Sequence, residues 1–316
     1  MKSIGGYLGM EFREGAEYHD QLLKLNTGRN AFEYILRAKN YKLAYLPYYA
    51  CDALMEPIRR LGIKHVFYSV DEFLDPVIDF KVNSDECFLY INYYGVKDET
   101  VERLVTQVDN LIIDNSQAFF AKPLAGTDTF YSCRKFFGVP DGAYLSVHTD
   151  NKLQVPEDTS YTRCVHLLKS IDRSIEEGFR DFLHNEAVLG ATEIRQMSLL
   201  TQTIMCSADY VFCMEKRNKN FQYLHERLEH INELKLNFKF VNGAFSYPLL
   251  ISDPQLRQML INERIYIPDN WPSVRKWMAK GGYEYFLSEC LVALPLDQRY
   301  DEQDMSLIVE TINKLT

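Results

Sequence analysis

At 316 residues, 47% of them hydrophobic and 13% aromatic, the chain can bury a sizeable core, expected as one large domain with a smaller one attached. A formal net charge of -9 without a basic stripe excludes a nucleic-acid backbone or an anionic membrane surface as partner. No apolar stretch has signal-peptide length or approaches the roughly 20 residues of a spanning helix, so a cytoplasmic protein is expected.

Asn26-Thr27-Gly28 reads as an N-cap turn opening a helix at 28-40, whose apolar face carries Phe32, Ile35 and Leu36. A strand follows at Leu43-Leu46, and Asp52 begins a helix through Leu61. Val66-Val70 and Phe88-Asn92 read as strands, Thr100-Val108 as a helix, and Leu111-Asp114 as a buried strand. This alternation implies an α/β fold with a mainly parallel sheet covered on both faces. A strand at Tyr144-His148 precedes long helical stretches at about 160-188 and 198-232, the second bearing Met205, Phe212, Met214 and Phe221, a stripe typical of core or subunit interface. From about 236 the pattern turns α+β: strands at Phe238-Val241 and Tyr247-Ile251, a helix after Asp253-Pro254, a strand at Leu291-Leu294 and a last helix from Asp301. The expected division is therefore 1-235 and 236-316, with no flexible linker between.

The chemistry concentrates around Lys135. Ser132-Cys133-Arg134-Lys135 is followed by Phe136-Phe137-Gly138-Val139-Pro140-Asp141-Gly142 and preceded by Ile112-Ile113-Asp114-Asn115-Ser116-Gln117. A lysine downstream of a strand that ends in aspartate suits pyridoxal phosphate. That cofactor needs an amine to hold its aldehyde and a carboxylate to keep its ring nitrogen protonated. Lys135 is the candidate amine, and Asp114, at the C-terminal end of a buried strand, the candidate carboxylate. Gly28 leaves free N–H groups at a helix start, a seat for the cofactor's phosphate, and Ser132 can add a hydroxyl. Tyr49 or Tyr48 is the candidate aromatic cover for the ring.

On these residues the chain resembles the DegT/DnrJ/EryC1/StrS family of fold-type I, pyridoxal-phosphate-dependent sugar aminotransferases. Asp114-Asn115-Ser116-Gln117 is similar to its Asp-x-x-His/Gln, and Lys135 with Asp141-Gly142 to its cofactor-binding lysine followed by an acidic residue and glycines. Thr27-Gly28-Arg29-Asn30-Ala31-Phe32 resembles its phosphate-binding turn, Leu46-Pro47-Tyr48-Tyr49 its Pro-x-Phe-Thr, and Ile91-Asn92-Tyr93-Tyr94-Gly95 its Val-His-Leu-Tyr-Gly. Glu193-Ile194-Arg195-Gln196-Met197-Ser198 resembles its Asn-Tyr-Arg-Met-Ser, and Lys216-Arg217 with Tyr223 and Leu224 its next helix. The resemblance implies that Lys135 and Asp114 are catalytic. It also implies that Thr27, Gly28, Arg29 and Ser132 hold the phosphate, with Gln117 beside the ring oxygen and Tyr49 near the ring. It implies a homodimer with shared sites, and transfer of an amino group from an amino acid such as glutamate to a keto sugar, expected to be nucleotide-linked, in surface polysaccharide or related biosynthesis. Two alternatives stay open: a different pyridoxal phosphate reaction, and a catalytically silent relative acting as an interaction module.

The seven cysteines form no CxxC pair, and the seven histidines have no ligand spacing. Neither a disulfide framework nor a metal site is expected.

Overall fold

The computed structural model describes residues 4-316. In chain order its elements are β1 (Leu23–Leu25), α1 (Gly28–Lys39), β2 (Leu43–Pro47), α2 (Met55–Leu61), β3 (Lys64–Tyr68), β4 (Glu86–Ile91), α3 (Asp98–Gln107), β5 (Leu111–Asp114), β6 (Asp128–Ser132) and β7 (Ala143–Ser146). There follow α4 (Val165–Asp172), α5 (Ile175–Ala191), α6 (Leu199–Cys206), α7 (Tyr210–Leu228), β8 (Tyr247–Leu250), α8 (Leu256–Asn262), α9 (Val274–Trp277), α10 (Tyr283–Cys290), β9 (Leu291–Leu294) and α11 (Glu302–Leu315).

A seven-stranded sheet runs β1-β7-β6-β5-β4-β2-β3. The pairs β2–β3, β2–β4, β4–β5 and β5–β6 are parallel, whereas β7 runs antiparallel to both β6 and β1. Strands β4 and β5 are apolar almost throughout because helices cover both faces. The antiparallel pair β8–β9 forms a second sheet, and the apolar core continues from the large sheet into this C-terminal layer through Leu249, Leu260, Leu287 and Ile312.

Several elements differ from the sequence reading. The stretch at 160-188 is two helices, because the Ser174 hydroxyl accepts the Glu177 N–H at 3.2 Å and starts α5 afresh. The stretch at 198-232 divides likewise, with Asp209 capping α7 through the Phe212 N–H at 3.0 Å. Phe238-Val241 is not a strand: the Lys239 N–H goes to the Glu99 carboxylate at 2.9 Å, and the Phe238 ring packs on Phe221. Phe238 and Val241 pack on the core without a ladder, while Phe240 is exposed. Strands β1 and β6 had no counterpart in the sequence reading. The Asp301 side chain caps α11 in a reciprocal box with Asp304.

Candidate active site

The sheet delivers its functional side chains at the carboxyl ends of β5 and β6, where they meet the start of α1 around a cavity of about 280 Å³. Thr27 caps α1 with extended backbone, its hydroxyl accepting the Asn30 N–H at 3.2 Å. Thr27, Gly28 and Arg29 line the cavity together with Ser132. The frame is held by Asn26, which is fully buried. Its carbonyl accepts the Gly142 N–H at 2.6 Å, its N–H donates to the Arg195 carbonyl at 2.9 Å, and its amide group donates to the Glu193 carbonyl at 3.0 Å.

Asp114 is buried and lines the same cavity. Burial pushes its carboxyl above the usual range, and the Lys135 ammonium and the Ser116 N–H and hydroxyl pull it back. Such a carboxylate is tuned for a cation placed beside it. Gln117 turns its Oε1 to the Tyr94 N–H at 2.8 Å, which commits its carbonyl end to the backbone and directs the NH2 end to other acceptors.

Lys135 closes a short 3-10 turn, Cys133–Lys135, directly after β6. The turn is fixed at its base by the Cys133 N–H, which donates to the Gly142 carbonyl at 3.0 Å. Gly142 has φ +117, and a Cβ there would stand 2.9 Å from Thr201 and 3.1 Å from the Cys133 sulfur, so only glycine fits. Asp141 points away from the cavity and pins the start of α6 through Ser198 and Thr201. Lys135 Nζ lies 5.7 Å from the Phe245 ring centroid and borders the same cavity as Asp114.

The structure thus brings Lys135, Asp114, Thr27, Gly28, Arg29, Gln117 and Ser132 together. Tyr49 does not join them: it is fully buried, its hydroxyl 3.0 Å from that of Tyr94, and it meets the Trp271 ring edge-on at 4.6 Å. Tyr48 stacks on Phe67 instead. The aromatic walls of the cavity are Phe130, Phe182 and Trp271. Trp271 has φ +57, a strained conformation for a bulky residue. The Arg29 guanidinium pairs with Glu56 at 2.6 Å.

Sequence reasoning also passed over Arg134, Cys51 and Glu186, all on the wall. Arg134 could have been found from its place beside Lys135. Glu186 could not, since it arrives on α5 from 52 residues away. Burial pushes the Cys51 thiol up, which keeps it neutral.

The donor set fits pyridoxal phosphate: helix-start N–H groups, a hydroxyl, guanidiniums, a buried carboxylate and a lysine line one cavity. Among the described residues no cluster of metal-ligating side chains occurs, and no helix is long and apolar enough to cross a membrane.

A second cavity of about 580 Å³ shares Arg134, Lys135 and Phe182 with the first. Its far wall carries Arg217, Gln298 and Arg299. Arg217 is buried, donating to Gln298 at 3.0 Å and to the Ala244 carbonyl at 3.0 Å, with its guanidinium 4.5 Å from the Phe136 ring.

No protein-family model and no curated protein matches the chain by sequence. Solved structures do match in fold. The sugar aminotransferase CalS13 from Micromonospora echinospora is 15% identical with a TM-score of 0.62, over 93% of this chain and 87% of that one. The aminotransferase TlmJ from Streptoalloteichus hindustanus is 16% identical with a TM-score of 0.63, over 94% and 87%. The PMP form of Spr1654 from Streptococcus pneumoniae, a putative sugar aminotransferase, is 13% identical with a TM-score of 0.64, over 92% and 86%. The chain therefore has the fold-type I architecture of these aminotransferases, expected from the sequence.

Proposed function

We propose that the protein is a pyridoxal-phosphate-dependent aminotransferase that moves an amino group from an amino acid, such as glutamate, to a keto sugar, with a nucleotide-linked sugar in surface polysaccharide or related biosynthesis as its acceptor. The observation that carries this reading is that Lys135 and Asp114 border one cavity with the Gly28 helix start and Ser132. Fold alone does not assign an activity, so the weight rests on this constellation.

When bound, pyridoxal phosphate supplies the electron sink that lets an amino group leave one carbon and join another. Asp114, buried beside the cavity, would hold a proton on the ring nitrogen, a pairing that burial strengthens. Gln117 would offer an N–H to the ring oxygen. Thr27, Gly28, Arg29 and Ser132 would seat the phosphate. Lys135 Nζ would be the amine that holds the group's aldehyde and the base that moves a proton at the substrate carbon. The second cavity is the space for donor and acceptor in turn. Arg217 on its wall suits the carboxylate of an amino acid or the phosphates of a nucleotide-linked sugar, whereas Arg299 there is already paired with Asp297 at 2.7 Å.

The working form is a homodimer that completes each site from the partner. Exposed apolar side chains along α4 and α5, among them Leu168, Ile171, Phe179 and Leu183, supply a face for a second copy.

The test is an absorbance spectrum of the purified protein with added pyridoxal phosphate, before and after borohydride, beside Lys135→Ala. A visible band that borohydride abolishes and Lys135→Ala lacks is expected. Its absence from the wild-type protein at excess cofactor would favour a catalytically silent relative.

A further inference from the structure

We propose that Arg134 is the principal grip on the cofactor's phosphate, and that the Glu186 carboxylate is a resident counter-ion which the phosphate displaces on binding. The inference deepens the cofactor reading given above and rests on it.

Arg134 follows Ser132 off the end of β6, so its guanidinium enters the cavity wall beside the Gly28 helix start. It pairs there with Glu186 of α5, while its buried Nε has no hydrogen-bond partner among the described residues. The guanidinium fork therefore has unused capacity, and a phosphate offers the in-plane oxygens that match it. Burial, with Arg29 close by, lowers the Arg134 pKa to about 10. A dianion seated between the two guanidiniums would relieve their mutual repulsion.

Charge and exposure decide which partner leaves. Arg29 and Arg134 are each matched by one carboxylate, Glu56 and Glu186. A phosphate carrying nearly two negative charges repels a carboxylate held on the same guanidinium. The Glu186 side chain is 34% exposed and that of Arg134 only 15%. The glutamate can turn into water at little cost, whereas the arginine is held by its surroundings.

The helix itself need not move. Phe182, Glu186 and Gly190 repeat every four residues along the face of α5 that meets the cavity side. A Cβ at Gly190 would stand 3.0 Å from the Arg29 guanidinium, so the glycine makes room for the second cation. Asn185 anchors the same helix to the lysine loop, donating to the Pro140 carbonyl at 2.8 Å. Rotation of one side chain, Glu186, opens the seat.

The experiment titrates cofactor-free protein with pyridoxal phosphate, pyridoxal and inorganic phosphate, read by absorbance for the aldehydes and by tryptophan fluorescence and thermal shift for phosphate. Arg134→Gln should weaken pyridoxal phosphate about ten- to a hundredfold, abolish the response to phosphate, and leave pyridoxal within about threefold. Arg134→Lys, which keeps the charge but not the fork, should fall between and serves if the glutamine variant does not fold. Glu186→Gln should tighten both phosphate-bearing ligands by about threefold or more. Unchanged pyridoxal phosphate affinity in the folded Arg134 variants, or weaker binding by Glu186→Gln, would overturn the proposal. A wild-type protein that takes no pyridoxal phosphate overturns the cofactor reading instead. The phosphate arm then decides alone: a response lost in Arg134→Gln keeps the anion seat, and no response in the wild type removes it.

Discussion

Asp141 and Ser198, 57 residues apart, are joined by two hydrogen bonds: the Asp141 carboxylate accepts the Ser198 N–H at 2.9 Å and the Ser198 hydroxyl at 2.7 Å. The acidic residue after Lys135 thus serves the frame of the site. It ties the lysine loop to the start of α6, with the Thr201 hydroxyl as a third donor. Asp141→Asn turns an all-acceptor group into one that also presents donors to those hydroxyls. A loss of about 1-3 kcal/mol is expected in urea unfolding, with a less ordered Lys135. Unchanged stability would show that the loop is held by other contacts.

Asp114→Asn keeps the size of the side chain and removes its charge. Cofactor should still be taken up by Lys135, while amino transfer falls by about a hundredfold or more. Stopped-flow spectra of the loaded variant with amino acids would show slow loss of the visible band. Wild-type rates in this variant would remove Asp114 from the chemistry.

Tyr49 and Trp271 give opposite expectations despite their contact. Tyr49→Phe loses only the hydroxyl pair with Tyr94 and should cost about 1 kcal/mol of stability with cofactor affinity unchanged. Trp271→Ala removes an aromatic wall and should weaken cofactor binding by about three- to tenfold. Equilibrium titration of both variants separates the buried ring from the lining one.

His19 sets a pH dependence of stability. Burial lowers its pKa from 6.5 to about 4, against a raising hydrogen bond to the Phe119 carbonyl at 2.7 Å. Because the folded value is depressed, the unfolded chain binds the extra proton first. This contribution is whole above pH 6.5 and is lost as pH falls towards 4, by at most about 3 kcal/mol. Denaturant unfolding at pH 7 and pH 5 should show the loss, and His19→Gln should flatten it.

Legibility in the sequence followed the range of the interaction. Leu111-Asp114 and Leu291-Leu294 were read to the residue because an apolar run bounded by polar residues is a local signal. Asp114 and the Gly28 turn could be placed because each ends or opens such an element, and Lys135 because it lies between a serine and glycines. Trp271 and Glu186 were not, since they reach the cavity from the C-terminal layer and from α5 by tertiary packing alone. Phe238-Val241 misled because strand-like residues were used as core packing. Tyr49 misled because a tyrosine serves the core as readily as a cavity wall, and here its ring packs edge-on against Trp271.

Asn26 has a consequence for which ligands the site can accept. By holding the Gly142 N–H and the Arg195 backbone at once, it locks the Gly28 turn and the Lys135 hairpin into one piece before anything binds. The span from that helix start to the amine is then a fixed gauge. On the proposed function, an aldehyde phosphate with a longer or shorter arm would be rejected by length, whatever the strength of its individual contacts.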